Sequence, residues 1–428
     1  DQADVPYVLI VDDVGEAGLI HDEGRNVMVG ALDDPATYRN ARVDQAALVI
    51  ATQSDQINTN IAFTVREIAP DVEIVASANS PASVDILEIA GADHIVQLGE
   101  ILGAAMAART FGLSGDSHVI GEFAGLRIAE ASPMGTDLLG RTLAEAQLRK
   151  RLGVSIIGVW RRGAFAIATA DTVLTESSML ILAGTAEQLA KYDECYSRQS
   201  TAPTRAVIIG GGRVGRAVGA AFADKGVEYV IVEQLAERQR KEANYVIGDA
   251  ADRSVLEAAG IDEAGAVLIT THDDNVNVYL TRYCRGLRPD ARIVSRSKLD
   301  RNVSTLYRAG ADAVLSYAGT GSAAIWNHLR GDETVLVAQG LNVFRTPIPR
   351  ELAGRTLAEA HVLRRTSCNV VAVERDGVLE GNPDPHVPLP TAGDLVLVGT
   401  DVAEARFSEE FPHARRRPSI RRGERRSR

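Results

Sequence analysis

The sequence predicts an α/β protein built from two doubly wound parallel sheets, each followed by a small α+β subdomain. Three observations predict it: short apolar strands alternate with helical patterns, the chain repeats itself, and a strand in the second half runs into a glycine-rich turn.

The repeat fixes the order of the parts. Tyr7-Val-Leu-Ile-Val-Asp12 matches Tyr229-Val-Ile-Val-Glu233 as an apolar strand ending in an acid, and Val27-Met-Val-Gly30 matches Tyr245-Val-Ile-Gly248. Ala47-Leu-Val-Ile-Ala-Thr52 then matches Ala266-Val-Leu-Ile-Thr-Thr271, and Val72-Glu-Ile-Val-Ala76 matches Ala291-Arg-Ile-Val-Ser295. Ala-Gly-Ala-Asp recurs at 90–93 and 309–312, and Gly-Arg-Thr-Leu-Ala-Glu-Ala at 140–146 and 354–360. The plan is therefore A-B-A-B. The first A module is expected over 1–112 and its B module over 113–196. A polar, proline-containing linker follows at 197–204, then the second A module at 205–330, its B module at 331–412 and a basic tail at 413–428. Helical patterns at Asn60 to Ile68 and Val276 to Arg285 cover the sheets, and one short helix is expected in each B module, at Thr142 to Arg149 and Thr356 to Arg364.

Composition bounds what such a chain does. At 428 residues it suits three or four domains, and 45% hydrophobic with 24% charged residues is the mix of a packed globular protein. No apolar run is long enough to cross a bilayer, and Cys195, Cys284 and Cys368 are too scattered for a disulfide framework or zinc site, so a reducing cytoplasm fits best. Net charge is −11, yet residues 415–428 hold eight arginines and one glutamate, leaving −18 on the remainder. That acidic body argues against a nucleic-acid surface. The tail reads as a solvated end, with contact to anionic lipid or nucleic acid as the alternative.

Ala206-Val-Ile-Ile-Gly-Gly-Gly-Arg-Val-Gly215 is a strand followed by G-x-G-x-x-G, a helical pattern through Phe222, and a strand ending in Glu233. Gly210 permits the tight turn, Gly212 lets backbone approach a pyrophosphate, and Gly215 allows helix against strand. Arg213 and Val214 open the helix whose N-terminus would hold the phosphates. Glu233 is placed to accept hydrogen bonds from ribose hydroxyls and would repel a 2′-phosphate, so NAD(H) or ADP, ATP or AMP is expected rather than NADP. Asp249 and Ala250 follow the third strand, where the aspartate is placed to meet adenine or ribose; Thr270 and Thr271 end the fourth beside the crevice. Arg213 or Arg296 is a candidate to neutralise phosphate charge.

The first copy lacks this loop. Only Asp1-Gln-Ala-Asp-Val-Pro6 precedes Tyr7, Ala31 stands where Asp249 stands, and Ser77 where Arg296 stands. Nucleotide binding is expected of the second copy alone, and the natural protein is expected to continue upstream.

No chemistry beyond binding is expected. There is no G-x-S-x-G, no H-E-x-x-H, and Tyr317 has Gly321 rather than lysine four residues on. The eight histidines are scattered, and His272-Asp-Asp274 reads as a polar strand-to-helix loop with an aspartate cap, contact with a ligand or ion being the alternative. No catalytic residue and no metal ligand is assigned.

With the repeat and the glycine turn in hand, the sequence resembles the tandem regulator of K⁺ conductance family (RCK; TrkA-N plus TrkA-C) over about residues 5 to 412. The resemblance rests on Gly210-Gly-Gly-Arg-Val-Gly215, the Gly248-Asp-Ala250 step, the Ala-Gly-Ala-Asp pair and the Gly-Arg-Thr-Leu-Ala-Glu-Ala pair. It implies Rossmann-like sheets with TrkA-C-like subdomains and a regulatory rather than enzymatic role at the inner face of the cell membrane. It also implies a homo-oligomer, a tetramer forming an eight-module ring, attached to a potassium-channel pore or, alternatively, to a Trk-type transporter subunit. A nucleotide-dependent oxidoreductase is the alternative from another class.

Overall fold

A computed structural model describes residues 6–112, 117–123, 125–133, 135–161, 164–175, 178–196, 204–240, 244–330, 334–338 and 341–412. All but the last residue of the expected linker, and the whole expected tail, lie outside them. The described residues form two compact units, the first running to Leu98 and including 324–330, the second starting at Gly99.

In the first unit the parallel strands fall into two groups. Leu9–Val11 pairs with Val27–Val29, while Leu48–Ala51, Glu73–Ser77 and His94–Val96 form a separate sheet. Helix Asp55–Ile68 starts where the Ser54 hydroxyl accepts from the Ile57 amide, and it buries Ile61, Ala62 and Val65 against Ile74 and Leu87.

The second unit holds a continuous six-stranded parallel sheet. Its order is Tyr245–Ile247, Glu228–Glu233, Arg205–Ile209, Ala266–Ile269, Arg292–Ser297, Ala313–Ser316. Such strands are apolar throughout because helices cover both faces, and Ala206, Val207, Ile208, Val267 and Leu268 are fully buried. The strand order reverses between Arg205–Ile209 and Ala266–Ile269. Beyond their carboxyl ends lies the crevice where folds of this class bind ligands.

The recurring Ala-Gly-Ala-Asp has a structural cause. Arg285 Nε donates to the Gly310 carbonyl at 2.9 Å, Nη2 meets Asp312 at 2.6 Å, and Asp312 also accepts from the Ile293 amide at 2.7 Å. Arg66, Gly91, Asp93 and Ile74 repeat this clamp in the first unit. Gly91 and Gly310 have φ of 97° and 115°, the left-handed region that disfavours a side chain.

Helix Leu98–Gly112, assigned to the first A module by its place in the chain, packs on the second sheet. Leu102, Met106 and Ala107 share a core with Val214, Val218 and Phe222. Gly99 and Gly103 permit the approach: a Cβ at Gly103 would lie 2.4 Å from the Ala217 Cβ and 2.8 Å from the Val214 carbonyl oxygen. At its far end Arg109 pairs with Glu130, a carboxylate 1% exposed, with Nη2 to Oε1 at 2.7 Å. Burial pushes the Glu130 carboxyl up while Arg109 pulls it down, and burial prevails.

The two α+β subdomains share one topology, five antiparallel strands in equivalent order. Their sheets contribute to one core, in which Ile128, Ile157 and Ile181 of the first join Val343, Val371 and Val396 of the second. Ser155 also donates to Asn382 Oδ1 at 2.6 Å. The expected single helix in each is two short ones, because Gln147 and His361 take positive φ of 48° and 50° and break the turn. Thr142 with Glu145, and Thr356 with Glu359, form the capping boxes that make Gly-Arg-Thr-Leu-Ala-Glu-Ala recur.

Among the described residues, no helix is long and apolar enough to cross a membrane.

Candidate nucleotide site

The crevice is a cleft of about 590 Å³ at the carboxyl ends of the second unit's strands. Gly210, at φ 105°, turns the chain out of the central strand, and the Thr270 hydroxyl braces that turn by donating to the Ile209 and Gly210 carbonyls, both at 3.0 Å. Gly215 lies behind the turn: a Cβ there would sit 1.9 Å from the Gly210 carbonyl oxygen. Gly212 heads helix Arg213–Asp224, and a Cβ on it would meet nothing within 4 Å. Among the described residues no side chain caps this helix start, so its first amides are available to an anion.

Glu233 is 5% exposed and already engaged. Its Oε2 accepts from the Gly211 amide at 2.8 Å and its Oε1 from the Leu235 amide at 3.0 Å, with Arg238 Nη1 3.9 Å away. Ribose hydroxyls would therefore join a carboxylate that also anchors the turn. Asp249 accepts from the Ala251 amide at 2.8 Å and still lines the cleft with Ala250, Thr271 and Val214. Asp273 caps the next helix by accepting from the Asn275 and Val276 amides, and His272 beside it lines the cleft. Among the described residues no cluster suited to a metal ion occurs.

Five arginines line the cleft, Arg213, Arg216, Arg238, Arg240 and Arg296, against three carboxylates, Glu233, Asp249 and Asp273. Arg216 Nη1 donates to the Gly211 carbonyl at 2.8 Å. The Arg296 Cζ lies 4.5 Å over the Tyr317 ring, its Nε is buried without a hydrogen-bond partner, and burial holds its guanidinium below the usual pKa. A half-buried guanidinium with an orphaned Nε, close to an uncapped helix start, fits a phosphate-bearing ligand.

Every residue singled out by sequence lines this cleft except Gly215, which supports it from behind. Sequence reasoning missed Gly211, Arg216, Arg238, Arg240 and Tyr317. The run of three glycines and the arginines flanking Glu233 were the available signals; nothing in the pattern pointed to Tyr317.

Fold and site together define a protein with tandem Rossmann-like folds, each joined to an α+β subdomain, the second carrying a nucleotide-type cleft. The TrkA-N domain model matches residues 1–98 and 206–317, and the TrkA-C domain model matches 129–194. The crystal structure of the GsuK RCK domain superposes with a TM-score of 0.67 at 35% identity, over 95% of this chain and 90% of that one. The GsuK channel bound to NAD gives 0.66 at 36% identity, over 95% and 74%. Among curated relatives, probable potassium channel protein 2 of Methanocaldococcus jannaschii is 25% identical over 249 residues, 52% of this chain and 71% of that protein. A TrkA homologue of Pyrococcus abyssi is 26% identical over 213 residues, 46% of this chain and 92% of that protein. The chain belongs to the RCK family, as a tandem member with two TrkA-N folds.

Proposed function

We propose that this chain is the ligand-sensing gating-ring region of a potassium channel, in which NAD(H) or an adenine nucleotide binds the second TrkA-N fold and biases a pore. The observation that carries the reading is the glycine turn: open space over Gly212, uncapped amides at the helix start and the orphaned Nε of Arg296 describe a phosphate cradle. The likeness to the GsuK channel, bound to NAD, supports the ligand class and the channel assignment. Gly210, Gly212 and the first amides of helix Arg213–Asp224 would hold the phosphates, with Glu233 and Asp249 on the adenosine side. The ligand acts by binding alone, through a difference in its affinity for two states of a ring, and no catalytic group is assigned.

Four copies, contributing two modules each, would build an eight-module ring beneath the pore, at the inner face of the membrane. A peripheral subunit of a Trk-type transporter is the second reading, favoured by the match over 92% of the Pyrococcus abyssi TrkA homologue. Calorimetric titration of the purified chain with NAD⁺, NADH, ADP, ATP and AMP tests the ligand class, and light scattering tests the tetramer. Saturable binding by a tetramer supports the reading; a monomer indifferent to every compound overturns it.

A further inference from the structure

We propose that Arg109 and Glu130 form a proton-operated latch: ionised, Glu130 clasps the far end of helix Leu98–Gly112 to the first α+β subdomain, and a proton on its carboxylate lets that helix end go. Neither residue lines the cleft, so the latch holds whichever ligand the cleft takes.

Glu130 is the fixed half. It lies in strand Leu126–Ala131, between strands His118–Phe123 and Ser178–Gly184, so backbone pairing on both sides sets its place. Arg109 is the movable half. It stands in the last turn of its helix, keeps 20% of its side chain exposed, and reaches Glu130 through Nη2 to Oε1 at 2.7 Å and through Nε to Oε2. Water is within its reach.

The duplicated subdomain shows that this fold does not require a buried acid here. Ile181 and Gly184 lie opposite Glu130 and Arg127, as Val396 and Gly399 lie opposite Arg345 and Asn342, so Arg345 holds the register position of Glu130 in the second subdomain. Arg345 is exposed and pairs with Glu374 and Asp394. A carboxylate buried where the same fold accepts an exposed arginine points to a task other than stability.

The charges facing Glu130 set the direction of the response. His118 stands directly across the strand pair, on the same face. Burial first, then Arg109 and Lys225, hold its imidazole below the usual pKa, so it brings no positive charge near neutral pH. Ile181 on the other side is apolar. Tyr307, from helix Val303–Ala309, has its pKa raised by burial, feels Arg109, Glu130 and Asp312, and accepts from the Val314 amide at 3.2 Å. Asp193 accepts from the Ser117 amide at 2.6 Å and hydroxyl at 3.0 Å, and Arg292 donates to the Thr110 carbonyl at 3.0 Å. Among the described residues Arg109 is therefore the cation that answers Glu130.

Burial raises the Glu130 pKa and Arg109 lowers it, so the carboxyl binds its proton more tightly once the arginine has left. Protons favour the open latch. Because burial prevails, this group's share of global stability is present in acid and lost as pH rises through its folded pKa. Acid therefore frees the helix end without unfolding the subdomain.

The test is hydrogen exchange of the full chain, read by mass spectrometry on peptides from residues 98–112 and corrected for the intrinsic rate, at about pH 5 and about pH 8. Wild type should exchange about tenfold faster in acid near Arg109, the worth of trading a charge-assisted hydrogen bond for a neutral one. Glu130→Gln and Arg109→Gln should exchange fast at both pH values. An infrared carbonyl band of a protonated carboxylic acid should also grow on acidification in wild type and be missing from Glu130→Gln. Wild-type exchange without a pH step overturns the latch. So does a step of undiminished size in Arg109→Gln, a variant that leaves the carboxyl in place and so decides the matter even if Glu130→Gln does not fold.

Discussion

The two TrkA-N folds carry the same clamp and opposite clefts. Arg66 and Arg285 each tie a left-handed glycine and an aspartate to the neighbouring strand. Asn58 and Asn277 likewise each tie the loop after one strand to the end of the next, through Gln53 and Ser77 in the first fold and Thr271 and Arg296 in the second. The residues facing the crevice differ. Where the second fold has Arg296, with its orphaned Nε, the first has Ser77, whose hydroxyl is used internally by Asn58. Where the second has Asp249 the first has Ala31. What holds strand to helix is therefore separable from what holds a ligand, and the two copies serve as controls for one another.

The comparison breaks first at the turn. Gly215→Ala places a methyl group on the Gly210 carbonyl and should abolish ligand binding, a loss of at least about a hundredfold, while lowering stability by about 3 kcal/mol. Titration and urea denaturation read the two effects. Glu233→Ala strips the Gly211 and Leu235 amides of their acceptor as well as removing the ribose contact. Affinity should fall by about tenfold to a hundredfold, with about 1–3 kcal/mol of stability lost, and Glu233→Gln should recover part of both.

The clamp sharpens the comparison from the other side. Arg66→Ala and Arg285→Ala should each cost about 2 kcal/mol in the fold they occupy, since each removes the donor to two part-buried carbonyls and to an aspartate. Unequal costs by denaturant melting would mean that the duplicated geometry hides unequal packing. Thr142→Ala and Thr356→Ala, which open the paired capping boxes, should each cost about 1 kcal/mol without changing ligand affinity. The smallest effect is the most discriminating. Ala31→Asp with Ser77→Arg restores two cleft residues to the first fold, and stoichiometry should remain one ligand per chain by calorimetry. A second site would show that side chains, not the turn, make the cradle.

Much of this was legible in the chain. The A-B-A-B order, the parallel strands and the glycine turn each leave a periodic or spaced signature, and the cleft residues from Gly210 to Arg296 follow from where such strands end. That helix Leu98–Gly112 packs on the second sheet could not be read from the chain, because an apolar pattern reports that a face is buried, not against what. The break at Gln147 and His361 escaped because positive φ at a residue other than glycine leaves no mark in composition. Arg238 and Arg240 stand on a loop whose approach to the cleft depends on the fold of the intervening chain. Tyr317 opens the helix after strand Ala313–Ser316, three places from the central strand, so no local pattern brings it to the cleft.

The contact at Gly99 and Gly103 has a mechanical side. A helix seated by glycines against the first turns of helix Arg213–Asp224 brings backbone close to backbone there, and its other end is pinned by Arg109 to a strand of the first α+β subdomain. Close-packed joints resist compression, so a displacement at the start of helix Arg213–Asp224 would be passed along toward Glu130 rather than absorbed.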